Sequence, residues 1–261
     1  MRIVTLLTDF GQASPYPAEM RAVLCAGCRA RVMDITHEIP AHDIASGAYV
    51  LAAAAPAFPA GTVHVAVVDP GVGTARLPLV VASGGHLFVG PDNGLLMPAA
   101  RALGHPRAHV IDEERFGRPP RSATFHGRDL FAPAAAALAS GLPVEQMGAP
   151  VAALVDLPEV QPARAPGVLT GQVVYRDAFG NLVTNIPGDW LRTCPESCVL
   201  DHPRGRVRVR RVRTYGEGDA NEPLVLVGSN GTIEIAIRAG RAAEALGVEA
   251  GAPIALRAGD G

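Results

Sequence analysis

"VQPARAPGVLTG", Val160 to Gly171, separates two kinds of sequence. Its prolines and glycines mark a linker, and the text on either side of it follows a different period. Upstream, short runs of β-branched and apolar residues alternate with stretches of helical spacing. "RIVTLLTDF" reads as a strand, followed by a helix from about Ala18; "RVMDIT" is a second strand, and Asp43 is placed to cap "IASGAYVLAAAA" as a helix. "GTVHVAVVD", "LPLVVAS", "HLFVG" and "AHVID" continue as strands, with helices after Asn93 and over "DLFAPAAAALASG". Such alternation predicts a largely parallel sheet covered on both faces. Downstream, "GQVVYRD", "RVRVRRV", "EPLVLVG", "TIEIAI" and "APIALR" are short strands with turn residues between them. The expected fold is therefore α/β over residues 1–160, a mostly parallel sheet sandwiched by helices, followed by a small β-barrel or sandwich over residues 161–261.

At 261 residues the chain is long enough for two cores. With 48% hydrophobic and 18% charged residues it reads as compact and folded. No apolar run reaches membrane-spanning length and "MRIVTLLTDFG" does not resemble a secretory leader, so a cytoplasmic location is expected. A formal charge of −2 gives no support for nucleic acid or an anionic membrane as partner.

All 23 basic residues are Arg. The absence of Lys excludes a Walker-type phosphate loop, a pyridoxal Schiff base and a lysine nucleophile, since each needs the amine itself. Cys25/Cys28 and Cys194/Cys198 have a spacing open to a four-thiolate zinc site. The better reading is structural: "EMRAVLCAGCRA" is helical, the second pair lacks flanking turn glycines, and neither pair opens a helix as a redox motif does. No metal is expected.

In open parallel sheets, ligands gather at the carboxyl ends of strands. Asp9 in "TDFG" and Asp69 in "VVDPG" both end strands there. Asp9 is either a ligand-facing acid or a turn acid satisfying local amides. "VVDPGVGTAR", Val67 to Arg76, contains a G-x-G but has Arg76 where a dinucleotide loop needs its third glycine. Arg76 is instead confined near Asp69, as a functional pair or as an ordinary surface ion pair worth under about 1 kcal/mol. His126 in "TFHGRDLFAP" stands before a helix, placed either for proton exchange near neutral pH or as a buried, backbone-satisfied imidazole. Asp, Arg and His together suit water activation. No serine-hydrolase or zinc-protease spacing accompanies them.

Seven blocks, "TLLTDFG", "DITHEIP", "HVAVVDPGVGTAR", "VGPDNGLL", "TFHGRDLFAP", "DAFGNLVTNI" and "GSNGTIEIA", run in order through nearly the whole chain. Together they resemble the S-adenosyl-L-methionine (SAM) hydroxide adenosyltransferase family, relatives of the fluorinases and chlorinases. The resemblance implies an N-terminal α/β domain, a C-terminal β-barrel, and a homotrimer with sites between subunits. It implies attack of water-derived hydroxide on the ribose 5′ carbon of SAM, giving adenosine and L-methionine with no cofactor. It assigns Asp69, Arg76 and His126 to water activation and Asp9 to the ribose. Asp177 would hold the methionine amino group, Phe179 and Asn181 would meet the adenine, and Ser229 the methionine end. An aromatic face covers a purine, and an amide both donates to and accepts from its edge. The family commonly shows an Asp and a Tyr-Val-Gly after "TDFG", where this sequence has Ser14 and Tyr16-Pro17-Ala18, and aromatic residues where Asn230 and Thr232 stand near Ser229, so it departs from the pattern around the expected methionine pocket.

A sulfonium leaves as a neutral thioether, so the difficulty lies with the nucleophile, which must be held in line and relieved of a proton. Arg76 stays protonated and can only stabilise. Asp69 or His126 takes the proton, and the sequence leaves both open. Three other readings compete. A halogenating relative is disfavoured because Asp69 beside the point of attack repels a desolvated halide. "RGRVRVRRVR", Arg204 to Arg213, is open to a nucleic-acid-binding strand, though Arg alternating with Val is equally a half-exposed edge or a subunit contact. A non-catalytic SAM sensor would bind without releasing methionine.

Overall fold

The computed structural model describes residues 2–158 and 160–259. The chain forms two compact units, Met1–Leu157 and Pro158–Gly261. In the first, seven strands make one sheet: β1 (Ile3–Thr8), β2 (Arg31–Thr36), β3 (Val63–Val67), β4 (Pro78–Ser83), β5 (His86–Pro91), β6 (Arg107–Val110) and β7 (Pro150–Val151), in the order β2-β1-β3-β5-β4-β6-β7. Its helices are α1 (Tyr16–Gly27), α2 (Ile44–Ala54), α3 (Met97–Leu103), α4 (Glu113–Phe116) and α5 (Ala132–Ala139).

The strands are legible because their side chains alternate between two buried layers. Val4 and Leu6 of β1 and Val63, Val65 and Val67 of β3 pack with Met20 and Leu24 of α1 and Ala132 and Ala135 of α5. Leu7, Ala66 and Val68 face the other way, against Ala48 and Leu51 of α2 and Ala99 and Ala100 of α3. The sheet is thus sandwiched as expected, and each buried Leu or Val contributes about 1.5–3 kcal/mol through removal from water. Asp43 caps α2 as its sequence indicates, accepting from the Ser46 amide at 2.9 Å and the Ser46 hydroxyl at 2.6 Å.

The parallel character is confined to β2-β1-β3-β5. Strands β4, β6 and β7 run antiparallel. The cause is local: Gly84 and Gly85, with φ of 56° and 82°, close β4 onto β5 as a two-residue hairpin, so the chain turns back without a crossover helix.

The second unit contains β8 (Ala163–Ala165), β9 (Val168–Arg176), β10 (Leu182–Pro187), β11 (Ser197–His202), β12 (Gly205–Arg211), β13 (Pro223–Val227), β14 (Thr232–Ile237) and β15 (Pro253–Ala258), with a short α6 (Ala242–Leu246). The order β10-β14-β13-β12-β11-β15-β9 closes through a further β9–β10 pairing into a seven-stranded barrel, while β8 pairs outside it with β9. Alternate residues, among them Val173, Leu200, Val209, Ile233, Ile235 and Leu256, fill its interior. The linker stretch itself therefore supplies β8 and the start of β9.

The Arg-Val strand is β12. Val209 is buried, whereas Arg206 pairs with Asp201 at 2.9 Å and Arg210 with Glu222 at 3.2 Å. Carboxylates thus answer part of its charge, which weakens the nucleic-acid reading. Cys25 and Cys28 lie at the end of α1 and Cys194 and Cys198 are buried in the barrel unit; among the described residues no group of three metal-ligating side chains is assembled. No helix among them is long and apolar enough to cross a membrane.

Candidate active site

Strands β1 and β3 are parallel neighbours with Thr8 opposite Val67. Asp9 follows β1 directly and Asp69 lies two residues beyond β3, so both carboxylates leave the same carboxyl-terminal edge of the sheet. They line one cavity of about 270 Å³ together with His126, His42 and the aromatic side chains of Phe10, Tyr16 and Phe125. The three rings meet edge to face, Tyr16 on Phe125 at 5.0 Å and Phe10 on each of the others at 5.8 Å. Tyr16, which stands between the departures at Ser14 and Pro17, is therefore part of the cavity wall.

The turn of "DPGVG" is built to bring Arg76 back. Val72 N–H donates to the Asp69 carbonyl at 3.2 Å and Thr74 N–H to the Gly71 carbonyl at 3.1 Å. Gly73 has φ of 78°, and a Cβ there would stand 2.9 Å from the Ala123 carbonyl oxygen, so both conformation and space require glycine. Arg76 then grips Asp69, with Nη2 2.6 Å from Oδ2 and Nε 3.2 Å from Oδ1. The pair is not the surface ion pair that its spacing allowed: the two side chains are 9% and 5% exposed. The guanidinium also lies over the Phe131 ring, 5.2 Å from its centre.

His126 precedes a π-helical turn, Gly127–Phe131, that leads into α5. Its Nδ1 is 2.9 Å from Arg76 Nη2. A guanidinium only donates, so Nδ1 accepts and the ring proton sits on Nε2. Burial, and then the Arg76 charge, holds this imidazole below its ordinary pKa, which favours the neutral ring that the hydrogen bond requires. One guanidinium thus orders both an ionised carboxylate and a neutral, Nε2-protonated histidine.

In the second unit, Asp177, Phe179 and Asn181 occupy the tight turn between β9 and β10. Asp177 Oδ1 accepts from the amides of Phe179 at 2.9 Å and Asn181 at 2.8 Å, and Oδ2 from Asn181 Nδ2 at 2.9 Å. These contacts build the turn and present Phe179 with 75% of its surface exposed, unusual for such a side chain. Ser229 is exposed in the β13–β14 turn.

Several residues of these surroundings gave no sequence signal of their own. Asn93 Nδ2 donates to the Val68 carbonyl at 2.9 Å and so braces the chain next to Asp69. Arg128 bridges Asp129 and Glu19 of α1, both at 2.6 Å, fixing the turn that follows His126. Glu234 is buried on β14, accepting from the Tyr215 hydroxyl at 2.5 Å; burial, and the nearby Asp177 charge, push its carboxyl above the usual range. The quoted blocks could have pointed to Asn93 and Arg128, which lie within them, but their partners are visible only once the chain is folded.

A carboxylate, a guanidinium and a neutral imidazole share hydrogen bonds in one cavity at the strand ends of an α/β sheet, the place and the residue types of a candidate small-molecule site. The SAM hydroxide adenosyltransferase N-terminal domain matches residues 4–148 and the corresponding C-terminal domain residues 171–255. The chain belongs to this family. It is 42% identical to a (R)-S-adenosyl-L-methionine hydrolase of Salinispora tropica, over 98% of both chains. A fluorinase of an Actinoplanes species is more distant, 23% identical over 97% of both chains. The crystal structure of an uncharacterized conserved protein from Thermotoga maritima superimposes with a TM-score of 0.91 at 34% identity, covering 97% of this chain and 99% of that one.

Proposed function

We propose that the protein hydrolyses (R)-S-adenosyl-L-methionine to adenosine and L-methionine by in-line attack of water on the ribose 5′ carbon. The observation that carries this reading is the buried Asp69–Arg76–His126 cluster in one cavity with Asp9. The hydrolase relatives support the substrate, and the epimer is theirs.

In this mechanism Asp9 receives the ribose hydroxyl pair and Asp69 receives a hydrogen bond from the attacking water. As the new carbon–oxygen bond forms, the 5′ carbon–sulfur bond breaks and its electron pair stays on sulfur. The nascent product is a protonated alcohol, a strong acid, so a carboxylate suffices to take its proton. His126 cannot accept a proton at Nδ1 while Arg76 donates there, and Nε2 already carries one. The base is therefore Asp69, and His126 acts as a donor that orients the water. A carboxylate at this place also repels fluoride and chloride, which separates this chemistry from halogenation.

The second unit supplies the remaining contacts in this reading: Asp177 for the amino group, Phe179 and Asn181 for adenine, Ser229 for the methionine end. The exposure of Phe179 suits a site completed by a neighbouring subunit of a homotrimer. The proposed enzyme is cytoplasmic and needs neither metal nor organic cofactor.

Incubation with each resolved sulfonium epimer tests the proposal. The (R) epimer is expected to yield adenosine and methionine in equal amounts, with the (S) epimer consumed far more slowly. Consumption of neither epimer, or a nucleoside that appears only with added halide, contradicts it.

A further inference from the structure

The block "DITHEIP" has no part in the chemistry above, yet its central histidine is fully buried beside the turn that carries Asp9. Thr8, the last residue of β1, is also fully buried, and its Oγ1 lies 2.8 Å from His37 Nδ1. The Asp34 carboxylate, itself held by Arg21 Nε at 3.1 Å, faces His37 Nε2 at 3.2 Å. Nε2 makes no hydrogen bond there, but the carboxylate charge 3.2 Å away favours the ring proton on it, which leaves Nδ1 to accept the Thr8 hydroxyl proton. The Thr8 oxygen is then left as an acceptor for the Phe10 N–H, 3.2 Å away. The His37–Thr8–Phe10 contacts thus have one consistent direction, and burial favours the neutral imidazole that they use.

The backbone is laced the same way. Gly11 N–H donates to the His37 carbonyl at 2.7 Å, and the His42 N–H reaches Asp9 Oδ2 at 2.9 Å. His42 makes that contact from φ of 66°, a left-handed conformation uncommon for a non-glycine residue that persists where its surroundings impose it. The residues on both sides of Asp9 are thus tied to the segment beginning at His37.

We propose that Thr8 and His37 are positioning residues that fix the turn bearing Asp9 and so aim its carboxylate at the two ribose hydroxyls of the substrate. This rests on the reading of Asp9 given above. It separates the pair from a purely structural role, because a mis-aimed Asp9 harms only substrates that carry those hydroxyls.

The test compares SAM with its 2′,3′-dideoxy analogue in Thr8→Val, which keeps the shape of the side chain, and in His37→Leu. Loss of a well-aimed charge-assisted hydrogen bond is expected to raise KM for SAM about tenfold, with kcat within about threefold and KM for the dideoxy analogue unchanged. Thr8→Ser, which retains the hydroxyl, is expected to keep the wild-type KM. An unchanged KM for SAM in Thr8→Val overturns the proposal, as does an equal rise for both substrates. Asp9→Asn is the reference: if it also fails to distinguish the two substrates, the ribose reading of Asp9 falls and takes the proposal with it. If Asp9→Asn distinguishes them and Thr8→Val does not, only the positioning role falls.

Discussion

Arg76→Ala is expected to lower turnover at least about tenfold and to destabilise the fold, because this one side chain serves three partners. It neutralises Asp69, sets the tautomer of His126 and covers Phe131. Removing it leaves a carboxylate only 5% exposed without its cation, and breaking a buried pair in this way costs about 3–5 kcal/mol. Asp69→Asn keeps the shape and a hydrogen-bond acceptor for Arg76 but cannot take a proton, so turnover falls by a similar factor while stability and substrate binding change little. Calorimetry and steady-state kinetics on both variants separate the two effects. The pH profile adds a check on the base. Because His126 is held neutral below its ordinary value, kcat stays level as the pH falls through about 6.5. A loss of activity centred there returns the proton to His126.

Mixing two inactive proteins is expected to restore activity. The residues proposed to activate water belong to the first unit and those proposed to hold adenine and methionine to the second. If each site of a trimer takes one set from each of two neighbours, Asp69→Asn and Asn181→Ala proteins, dissociated and reassembled together, form some sites with both sets intact. Recovery of part of the wild-type turnover is the predicted result. No recovery from verified mixed trimers, or a fully active monomer, contradicts the shared site.

Much of the fold was legible because its signals are local. Asp43 and the apolar spacing after it specify α2 within a dozen residues, and the β-branched runs specify β1, β2 and β3. The antiparallel half of the first sheet was not anticipated, although Gly84-Gly85 is a short-range hairpin signal; it was masked by the alternation of strands and helices around it. Strands β10 and β11 carry no strong local signal of their own. "LVTNIP" follows the Asp177 turn directly and "SCVLDH" ends in polar residues, and each is stabilised by its barrel neighbours more than by its own pattern.

The site was half legible. Residue types and strand ends indicate Asp9, Asp69, Arg76 and His126, and the burial of the Asp69–Arg76 pair excludes an exposed ion pair. What spacing cannot reveal is direction. Arg76 and His126 are fifty positions apart in the chain, and only their 2.9 Å contact says which ring nitrogen accepts. Thr8 and His37 were hidden in the same way, joined between parallel strands rather than along one.

The most direct measurement is to run the reaction in water enriched in heavy oxygen and analyse the products by mass spectrometry. The account predicts that the label enters the 5′-hydroxyl of adenosine and is absent from methionine, since water attacks the ribose carbon and the 5′ carbon–sulfur bond breaks. Unlabelled adenosine formed in labelled water would contradict it.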